Sequence, residues 1–383
     1  MKIALLTEHR PLNYGSVLQT FATQTLLEQL GHTVEVVDYW RYKDVPKNQA
    51  NLALEYHPAW KKNVLLRTFF RWIFPFVNTR RERRMFNGFL KRRVHLSQRM
   101  YTSCEDLEKD CPTADFYLSG SDQLWNAGIH NTDAYYLDFL KAGEPCGSFA
   151  TSFGRDQIPE EELEEIRPKL QKYRFLSVRE QTGVEIVKRA GAAVEPRLVL
   201  DPTLVASPAV WRDLSDMAKP RIAENTPYLL VFQINYGTNE KLKEYAGRLA
   251  QQKQCRLVSV EFSVKYKRHA SCLHILSPTP EELLRLIRHA KYVLTDSFHG
   301  TAFCLIFQKN FLVDLPPKYS GRLKNILQIA GIPERVLNGY ESFSVFDKAI
   351  SYTQVDSRLS PWKLESYAYL RDSLEEVEHE ICK

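Results

Sequence analysis

The stretch KIALLTEHRPLNYGSVLQTFATQTLLEQLGHTVEVVDY, residues 2–39, decides the fold. Its two ends, KIALLT (2–7) and TVEVVDY (33–39), are short apolar runs typical of buried strands. Between them, apolar residues recur at helical spacing as far as Gly31, which we expect to close the helix. A strand, a helix and a second strand within about 40 residues predict a parallel βαβ unit. Ligands of such sheets bind at the carboxyl ends of the strands, so the loops there are the first places to look for function.

The same alternation continues along the chain and predicts two Rossmann-like α/β domains that face each other across a cleft. We place the boundary where Pro208 and Pro220 lie among polar residues, which gives domains of residues 1–210 and 211–383. The second domain ends in a predicted C-terminal helix over residues 364–383. Further strands are predicted in the segments 115–126, 145–154, 174–180, 227–237, 255–262, 291–295 and 310–315.

Length and composition are those of an ordinary globular protein. The chain has 383 residues, of which 44% are hydrophobic and 26% charged, and a net charge of +6. It contains no apolar run of the roughly 18 residues that a transmembrane helix needs, and its N-terminus resembles a strand more than a signal peptide. We therefore expect a cytoplasmic protein. The seven cysteines form no CxxC pair, so the sequence indicates neither a zinc site nor a disulfide framework.

Residues 41–100 are predicted to be a basic helical insertion in the first domain. Between Lys61 and Arg93 the sequence has eleven Lys or Arg residues and one acid, Glu82, beside the apolar run LLRTFFRWIFPF. One interpretation is an amphipathic segment on an anionic membrane surface; the other is a helix with a solvated basic face. No nucleic-acid recognition motif accompanies the charge, so nucleic acid is not an expected partner.

The loop after the first strand places Asn13, Tyr14, Gly15 and Ser16 at the start of a helix. Backbone N–H groups at such a helix start favour anions. The loop has one glycine and is not the GxGxxG fingerprint of a dinucleotide site. A plain helix cap by Asn13 or Ser16 is the alternative.

A second loop, SGSDQLWN (119–126), follows a predicted strand. Its small residues allow a sharp turn, and Asp122, Gln123, Trp125 and Asn126 then offer an aromatic face beside polar groups, as a sugar requires. An ordinary Gly/Ser/Asp turn explains the first half of this loop but not QLWN.

Cationic and N–H donors dominate the remaining strand ends. Arg179 in SVRE (177–180) is suited to a carboxylate or phosphate, although an ion pair with Glu180 is the alternative. In TDSFHGTAFCLIF (295–307), His299 and Gly300 begin a helix after a buried strand. There we expect Gly300 to let a ligand approach the backbone and Asp296 to orient the imidazole. Arg322 precedes another helix. These donors predict a compact, phosphorylated anion that reacts with a hydroxyl-rich partner.

Six motifs follow one another along the chain: NYGSVLQTFATQTLLEQLGHTVEVVDY, SGSDQLWN, SFATSFG, SVRE, LDPTLV and TDSFHGTAFCLIF. In these motifs and in their order, the sequence resembles the polysaccharide pyruvyl transferase family. The resemblance covers residues 3–38 and 114–335. It implies a GT-B-like fold and an enzyme that builds a pyruvate ketal on a sugar of a bacterial surface polysaccharide or of its lipid-linked precursor, with phosphoenolpyruvate as donor. It implies no organic cofactor, and no metal cluster is visible in the sequence.

The resemblance also implies roles for particular residues. Arg179 and His299 match donor-binding positions of the family, and Phe298 and Gly300 lie in the same motif. Ser297 stands where many members have arginine, and we expect Arg322 to supply the missing charge. We assign His299 as the acid or phosphate ligand and Asp122 as the base. The acceptor side is assigned to Asn13, Tyr14, Gly15, Gln123, Trp125 and Asn126, with Trp125 as the sugar platform.

Two other functions are compatible with the sequence. A nucleotide-sugar glycosyltransferase or epimerase on the same two-domain frame would use Asp296 or Asp314 for ribose hydroxyls. A non-catalytic member of a polysaccharide assembly complex is the other alternative, although retention of His299 and Arg179 disfavours it.

Overall fold

The computed structural model describes residues 1–41, 45, 80–128, 132–223, 225–234, 240–261, 271–316 and 320–383. Most of the predicted basic insertion, including LLRTFFRWIFPF, lies outside these ranges. The membrane-surface hypothesis concerns these residues, so it stays a prediction. Among the described helices, none is both long enough and apolar enough to cross a membrane.

The first domain contains a seven-stranded, wholly parallel sheet in the order β3-β2-β1-β4-β5-β6-β7. This is the order expected of a doubly wound Rossmann-like sheet. The direction of winding reverses between β1 and β4, which opens a crevice at their carboxyl ends. Its strands are β1 Lys2–Leu6, β2 Thr33–Tyr39, β3 Leu96–Tyr101, β4 Phe116–Ser119, β5 Cys146–Thr151, β6 Tyr173–Val178 and β7 Arg197–Leu198.

The second domain contains a five-stranded parallel sheet in the order β10-β9-β8-β11-β12, with its own reversal between β8 and β11. The two sheets confirm the predicted α/β class with two Rossmann-like domains. The strands are β8 Tyr228–Phe232, β9 Arg256–Glu261, β10 Cys272–Leu276, β11 Tyr292–Thr295 and β12 Asn310–Val313.

Helices cover both sheets and supply the rest of the core. The described α-helices are α1 Tyr14–Gln29, α2 Arg80–Arg93, α3 Cys104–Asp110, α4 Glu160–Lys169, α5 Gln181–Ala190, α6 Pro202–Val205, α7 Pro208–Asp216, α8 Glu240–Gln252, α9 Pro280–His289, α10 Phe298–Ile306, α11 Gly321–Ile329, α12 Ser344–Asp347 and α13 Tyr352–Ile381.

Three edge strands, β3, β7 and β10, have no counterpart among the predicted strands. Residues 96–101, assigned from the sequence to the helical insertion, form β3. The sequence of β3, LSQRMY, has three consecutive exposed residues, so it lacks both the continuous apolar run of a central strand and a regular alternation. Each of the three strands pairs on one side only, which weakens the burial pattern by which a strand is recognised in a sequence.

The C-terminal helix α13 begins at Tyr352, twelve residues before the predicted start, and contacts both domains. Near its beginning, Asp356 accepts a hydrogen bond from Gln308 of the second domain at 3.0 Å. Further along, the Tyr369 hydroxyl donates to the Leu176 carbonyl of the first domain at 3.0 Å. The predicted division at residue 210 would place the whole of this helix in the second domain, and the boundary stays a prediction.

Helix α2, the described end of the basic segment, also bridges the domains. The Ser277 hydroxyl of the second domain donates to the buried Glu82 carboxylate at 2.9 Å. Arg92 forms an ion pair of 3.0 Å with Glu281. Phe86 is buried, with its ring 5.0 Å from that of Tyr14. This part of the basic segment therefore has an interdomain role that charge counting alone does not show.

The packing of α13 leads to a stability prediction. Leu374 is 0% exposed, whereas Leu364 on the same helix is 71% exposed. We expect Leu374→Ala to lower the free energy of unfolding by about 2–5 kcal/mol, because it removes buried methyl groups and leaves a cavity. The matched variant Leu364→Ala is expected to change it by less than about 0.5 kcal/mol. Denaturant unfolding measures both, and equal effects would contradict the described packing.

Candidate active site

The two crevices face each other and enclose one cavity of about 350 Å³. Its volume is within the usual range for small-molecule sites, about 300–1,000 Å³. The first domain contributes side chains that follow β1 and β4, and the second contributes side chains that follow β8, β11 and β12. The residues that line the cavity include Glu8, Asn13, Ser16, Arg41, Asp122, Gln123, Asp296, Ser297, Phe298, His299 and Arg322.

Behind the first-domain wall, the Arg179 guanidinium is 1% exposed and pairs with two carboxylates. Its Nη2 donates to Asp122 Oδ1 at 2.8 Å, and its Nη1 donates to Asp201 Oδ2. Arg179 was predicted to hold the donor's anionic groups, but it does not line the cavity. The geometry shows it joining the loops after β4, β6 and β7, because each loop supplies one member of the cluster.

Both carboxylates are held in their charged form. Burial alone would raise the pKa of Asp122, but the positive charges of Arg179 and His299 outweigh burial and hold the pKa below its usual range. For Asp201, burial is again opposed by His299 and Arg179, and the pKa is lowered. A carboxylate with a lowered pKa is a weak proton acceptor, so this geometry argues against the predicted role of Asp122 as general base.

His299 lies at the start of α10 and reaches across to the first domain. Its Nε2 is 3.7 Å from Asp201 Oδ2, and this buried nitrogen has no hydrogen-bond partner among the described residues. The other ring nitrogen, Nδ1, faces Gly15 so closely that a Cβ at Gly15 would lie 2.0 Å from it. Asp296 was predicted to orient the imidazole, but the carboxylate beside the ring is that of Asp201. Asp296 Oδ1 instead accepts a hydrogen bond from the Ile234 backbone N–H at 2.7 Å.

Arg322 is the loosely held cation of the cavity. Its side chain is 14% exposed, and its nearest ion-pair contact is Asp122 Oδ1 at 3.9 Å from Nη1. Its Nε is buried and finds no hydrogen-bond partner in the described parts of the chain. Burial and the positive charge of Arg179 lower the pKa of Arg322 to about 10, so the guanidinium is charged at neutral pH. Such a group can donate to an anion in the cavity.

The Phe298 ring lies close to both guanidiniums. The Arg179 Cζ lies 5.1 Å from the centroid of the Phe298 ring, and the Arg322 Cζ lies 5.7 Å from it. Attraction between a cation and a ring face partly offsets the cost of burying like charges together. The predicted donor-binding residue Phe298 therefore holds the arginines as well as lining the cavity.

Several of the sequence motifs meet in one polar network. Glu180 Oε1 accepts from the Ser152 hydroxyl at 2.8 Å and from the Phe153 N–H at 2.9 Å. Glu180 therefore fixes the loop after β5 and does not pair with Arg179. The next residue in that loop, Gly154, has φ +63, and a Cβ there would lie 1.9 Å from Gln123 Oε1. The glycine makes room for a side chain of the cavity wall.

Three predicted acceptor residues lie elsewhere. Trp125 is 0% exposed and stacks on Tyr136 with centroids 5.0 Å apart, so it belongs to the core and offers no face to a sugar. Asn126 is also fully buried and donates to Gln123 at 3.0 Å. Tyr14 is buried, and its hydroxyl donates to the Pro278 carbonyl of the second domain. The sequence does not reveal the buried partners of these polar and aromatic residues, and for that reason they were predicted to bind the acceptor.

Helix caps account for two further residues without removing them from the site. Asn13 caps α1 by accepting from the Gly15 N–H at 2.8 Å, and Ser297 caps α10 by accepting from the Gly300 N–H at 3.2 Å; both also line the cavity. Gly300 differs from its prediction. A Cβ there would lie 2.4 Å from Thr295 Oγ1, so this glycine serves close packing within the second domain and not the approach of a ligand.

Sequence reasoning missed Asp201, Glu180 as a loop anchor, and Glu8. Asp201 lies in LDPTLV and caps α6 by accepting from the Thr203 N–H at 2.9 Å, so its local pattern indicates a cap and nothing more. Glu8 directly follows the β1 region, lines the cavity and pairs with Arg41 at 3.0 Å. Its position at a strand's carboxyl end was the available signal.

Several solved structures share this two-domain architecture. S. aureus MnaA in its co-structure with UDP has a TM-score of 0.54 at 14% identity, with 90% of this chain and 86% of that chain covered. The UDP-GlcNAc 2-epimerase of Neisseria meningitidis has a TM-score of 0.53 at 12% identity, covering 98% and 100%. That of Methanocaldococcus jannaschii has a TM-score of 0.53 at 12% identity, covering 95% and 93%. Identities this low establish the fold alone, which is GT-B-like.

Sequence comparison goes further than fold. No curated protein sequence matches the chain. The sequence profile of the family described as "Polysaccharide pyruvyl transferase" matches residues 13–313, which is 301 of the 383 residues. The match includes the loops after β4 and β11, which line the cavity, and the loop after β6 that lies behind them, and it ends before Arg322. The chain therefore belongs to the polysaccharide pyruvyl transferase family.

Proposed function

We propose that the cavity binds phosphoenolpyruvate and transfers its pyruvyl group, as a ketal, to two hydroxyls of a sugar. The observation that carries this proposal is the pair Arg322 and His299. Both line the cavity, both are held only loosely by carboxylates, and each has a buried nitrogen without a hydrogen-bond partner among the described residues. Cationic donors of this kind suit a small ligand with a phosphate and a carboxylate.

In this proposal Arg322 takes the place of the arginine that many family members have at the position of Ser297. Ser297 has a short side chain that caps α10, and Arg322 at the second residue of α11 reaches the same cavity. The N–H groups at the start of α10 and α11 add to the positive potential. The positive charge that Ser297 lacks at the start of α10 is thus supplied by Arg322 at the start of α11.

The reaction moves two protons from the sugar hydroxyls, one to C3 of the enol and one to the departing phosphate. C3 of the enol gains a proton, and C2 becomes an oxocarbenium-like centre. One sugar oxygen bonds to C2 and gives up its proton, the bond from C2 to the phosphate oxygen breaks, and phosphate leaves carrying a proton. The second sugar oxygen then closes the ring and loses its proton. We assign proton donation or phosphate binding to His299, because it is the imidazole that lines the described cavity wall.

The acceptor side is proposed to lie in the first domain. Glu8, Asn13 and Gln123 line the cavity there and offer carboxylate and amide oxygens to hydroxyl groups. They take over the role predicted for Trp125 and Asn126. The acceptor is proposed to be a sugar of a bacterial surface polysaccharide or of its lipid-linked precursor, used at the inner face of the membrane.

Asp122 is proposed to hold the cations and not to take a proton. It pairs with Arg179 at 2.8 Å, approaches Arg322 at 3.9 Å and accepts from the Ser16 hydroxyl at 3.0 Å. Three contacts from three elements fix its position. Its backbone has φ +81, a conformation that few residue types other than glycine adopt readily.

The donor is tested by thermal unfolding with phosphoenolpyruvate or UDP-GlcNAc. A ligand at 100 times its dissociation constant stabilises the folded protein by about 2.7 kcal/mol. We expect phosphoenolpyruvate to raise Tm at millimolar concentration and UDP-GlcNAc to leave it unchanged. A rise with UDP-GlcNAc alone would reject the proposed donor in favour of nucleotide-sugar chemistry on the same fold.

The anion ligand is tested with Arg322→Gln. Loss of a charge-assisted hydrogen bond in a partly buried site costs roughly 1.5–3 kcal/mol, so we expect the Kd for phosphoenolpyruvate, measured by calorimetry, to rise about 10- to 100-fold. Arg221→Gln is the matched control: Arg221 also belongs to the second domain but is 42% exposed and pairs with Glu282 away from the cavity. Equal affinities of the two variants would contradict the assignment of Arg322.

A further inference from the structure

We propose that Gly15 and Asp201 of the first domain are positioning residues that receive the His299 imidazole of the second domain and hold it in its working place. Gly15 was expected on the acceptor side but is not among the residues that line the cavity, and in this proposal neither residue contacts substrate. The inference rests on the proposed function only for the catalytic consequence, because the contact between the domains is itself a feature of the structure.

The His299 ring lies in a slot between Gly15 and Asp201. Gly15 forms one side of this slot. A Cβ added there would lie 2.0 Å from His299 Nδ1, 2.6 Å from Cε1 and 2.7 Å from Cγ. Contacts this short are incompatible with the observed ring position. Helix α1 itself does not need a glycine in its first turn, because alanine is favoured over glycine inside helices by about 1 kcal/mol. The residue that requires Gly15 is therefore the imidazole of the other domain.

Asp201 forms the other side. Its Oδ1 accepts from the Thr203 N–H at 2.9 Å and from the Thr203 hydroxyl at 2.6 Å, and its Oδ2 accepts from the Ser121 hydroxyl at 3.1 Å and from Arg179. All these donors belong to the first domain. The carboxylate is consequently fixed by its own domain, and it presents Oδ2 at 3.7 Å from His299 Nε2.

The slot also explains how a second-domain residue acts on an acceptor bound to the first domain. His299 is the second residue of α10, after the loop that follows β11, and only the juxtaposition of the two domains brings its ring between Gly15 and Asp201. The position of the imidazole therefore depends on the contact between the domains. A ring that is not received has neither its carboxylate neighbour nor its place beside the acceptor side.

A double-mutant cycle on Tm tests the slot without any ligand. The four proteins are the wild type, Gly15→Ala, His299→Ala and the double variant. We expect Gly15→Ala to lower Tm by about 3 °C or more in the wild-type background, because overpacking strains the contact. In the His299→Ala background the same change should leave Tm unchanged or raise it, because the obstructing ring is gone. An equal penalty in both backgrounds, or none in the wild type, overturns the proposal.

A second cycle covers the case in which Gly15→Ala does not fold. Asp201→Asn removes the charge but keeps an oxygen that can cap α6, since asparagine and aspartate cap equally well. The substitution also removes the ion pair between Arg179 and Asp201. This loss occurs in both backgrounds, so it cancels in the cycle. We expect Asp201→Asn to lower Tm more when His299 is present than in His299→Ala, and equal shifts would reject Asp201 as a positioning residue.

The same proteins with phosphoenolpyruvate separate this inference from the proposed function. We expect the donor to raise Tm of the wild type and to lose that effect in Gly15→Ala as it does in His299→Ala. Coupling in the cycles without any donor effect would support the slot and reject the donor. A donor effect that survives intact in Gly15→Ala would show that a misplaced imidazole is harmless, and would overturn the positioning role.

Discussion

A buried guanidinium that must be neutralised organises the first domain. Arg179 is almost wholly removed from water, and an unpaired charge there would be strongly destabilising. Asp122 and Asp201 meet that requirement from loops after two other strands. Because the three loops can satisfy one another only in this arrangement, the carboxyl edge of the sheet is fixed at the place where the cavity forms.

The second domain contributes side chains that first-domain carboxylates hold less tightly. His299 and Arg322 approach these carboxylates at 3.7 and 3.9 Å, both longer than the 2.8 Å that separates Arg179 from Asp122. Arg179 is therefore fixed within the first domain, and the proposed donor site uses the two more loosely held groups. The cavity depends on contact between the domains, since each contributes part of its lining.

Sequence predicted most of this architecture because strand cores are continuous apolar runs and functional loops follow them. His299 and Gln123 were predicted from their positions after strands and Ser297 from the family resemblance, and all three line the cavity. The failures have one cause, which is that burial depends on partners distant in sequence. Trp125 appeared to be a sugar platform because nothing local predicts that Tyr136 covers it, and Asp201 was missed because its neighbour His299 lies in another domain.

We propose that Arg322 of α11 binds the donor in place of the arginine that many family members have at the position of Ser297. A crystal structure of the wild-type protein soaked with phosphoenolpyruvate tests this most directly. We expect a phosphate or carboxylate oxygen within hydrogen-bonding distance, about 2.7–3.2 Å, of the Arg322 guanidinium, with Arg179 still joined to its two carboxylates. A donor bound by Arg179 after release of Asp122 or Asp201, with Arg322 turned away, would contradict it.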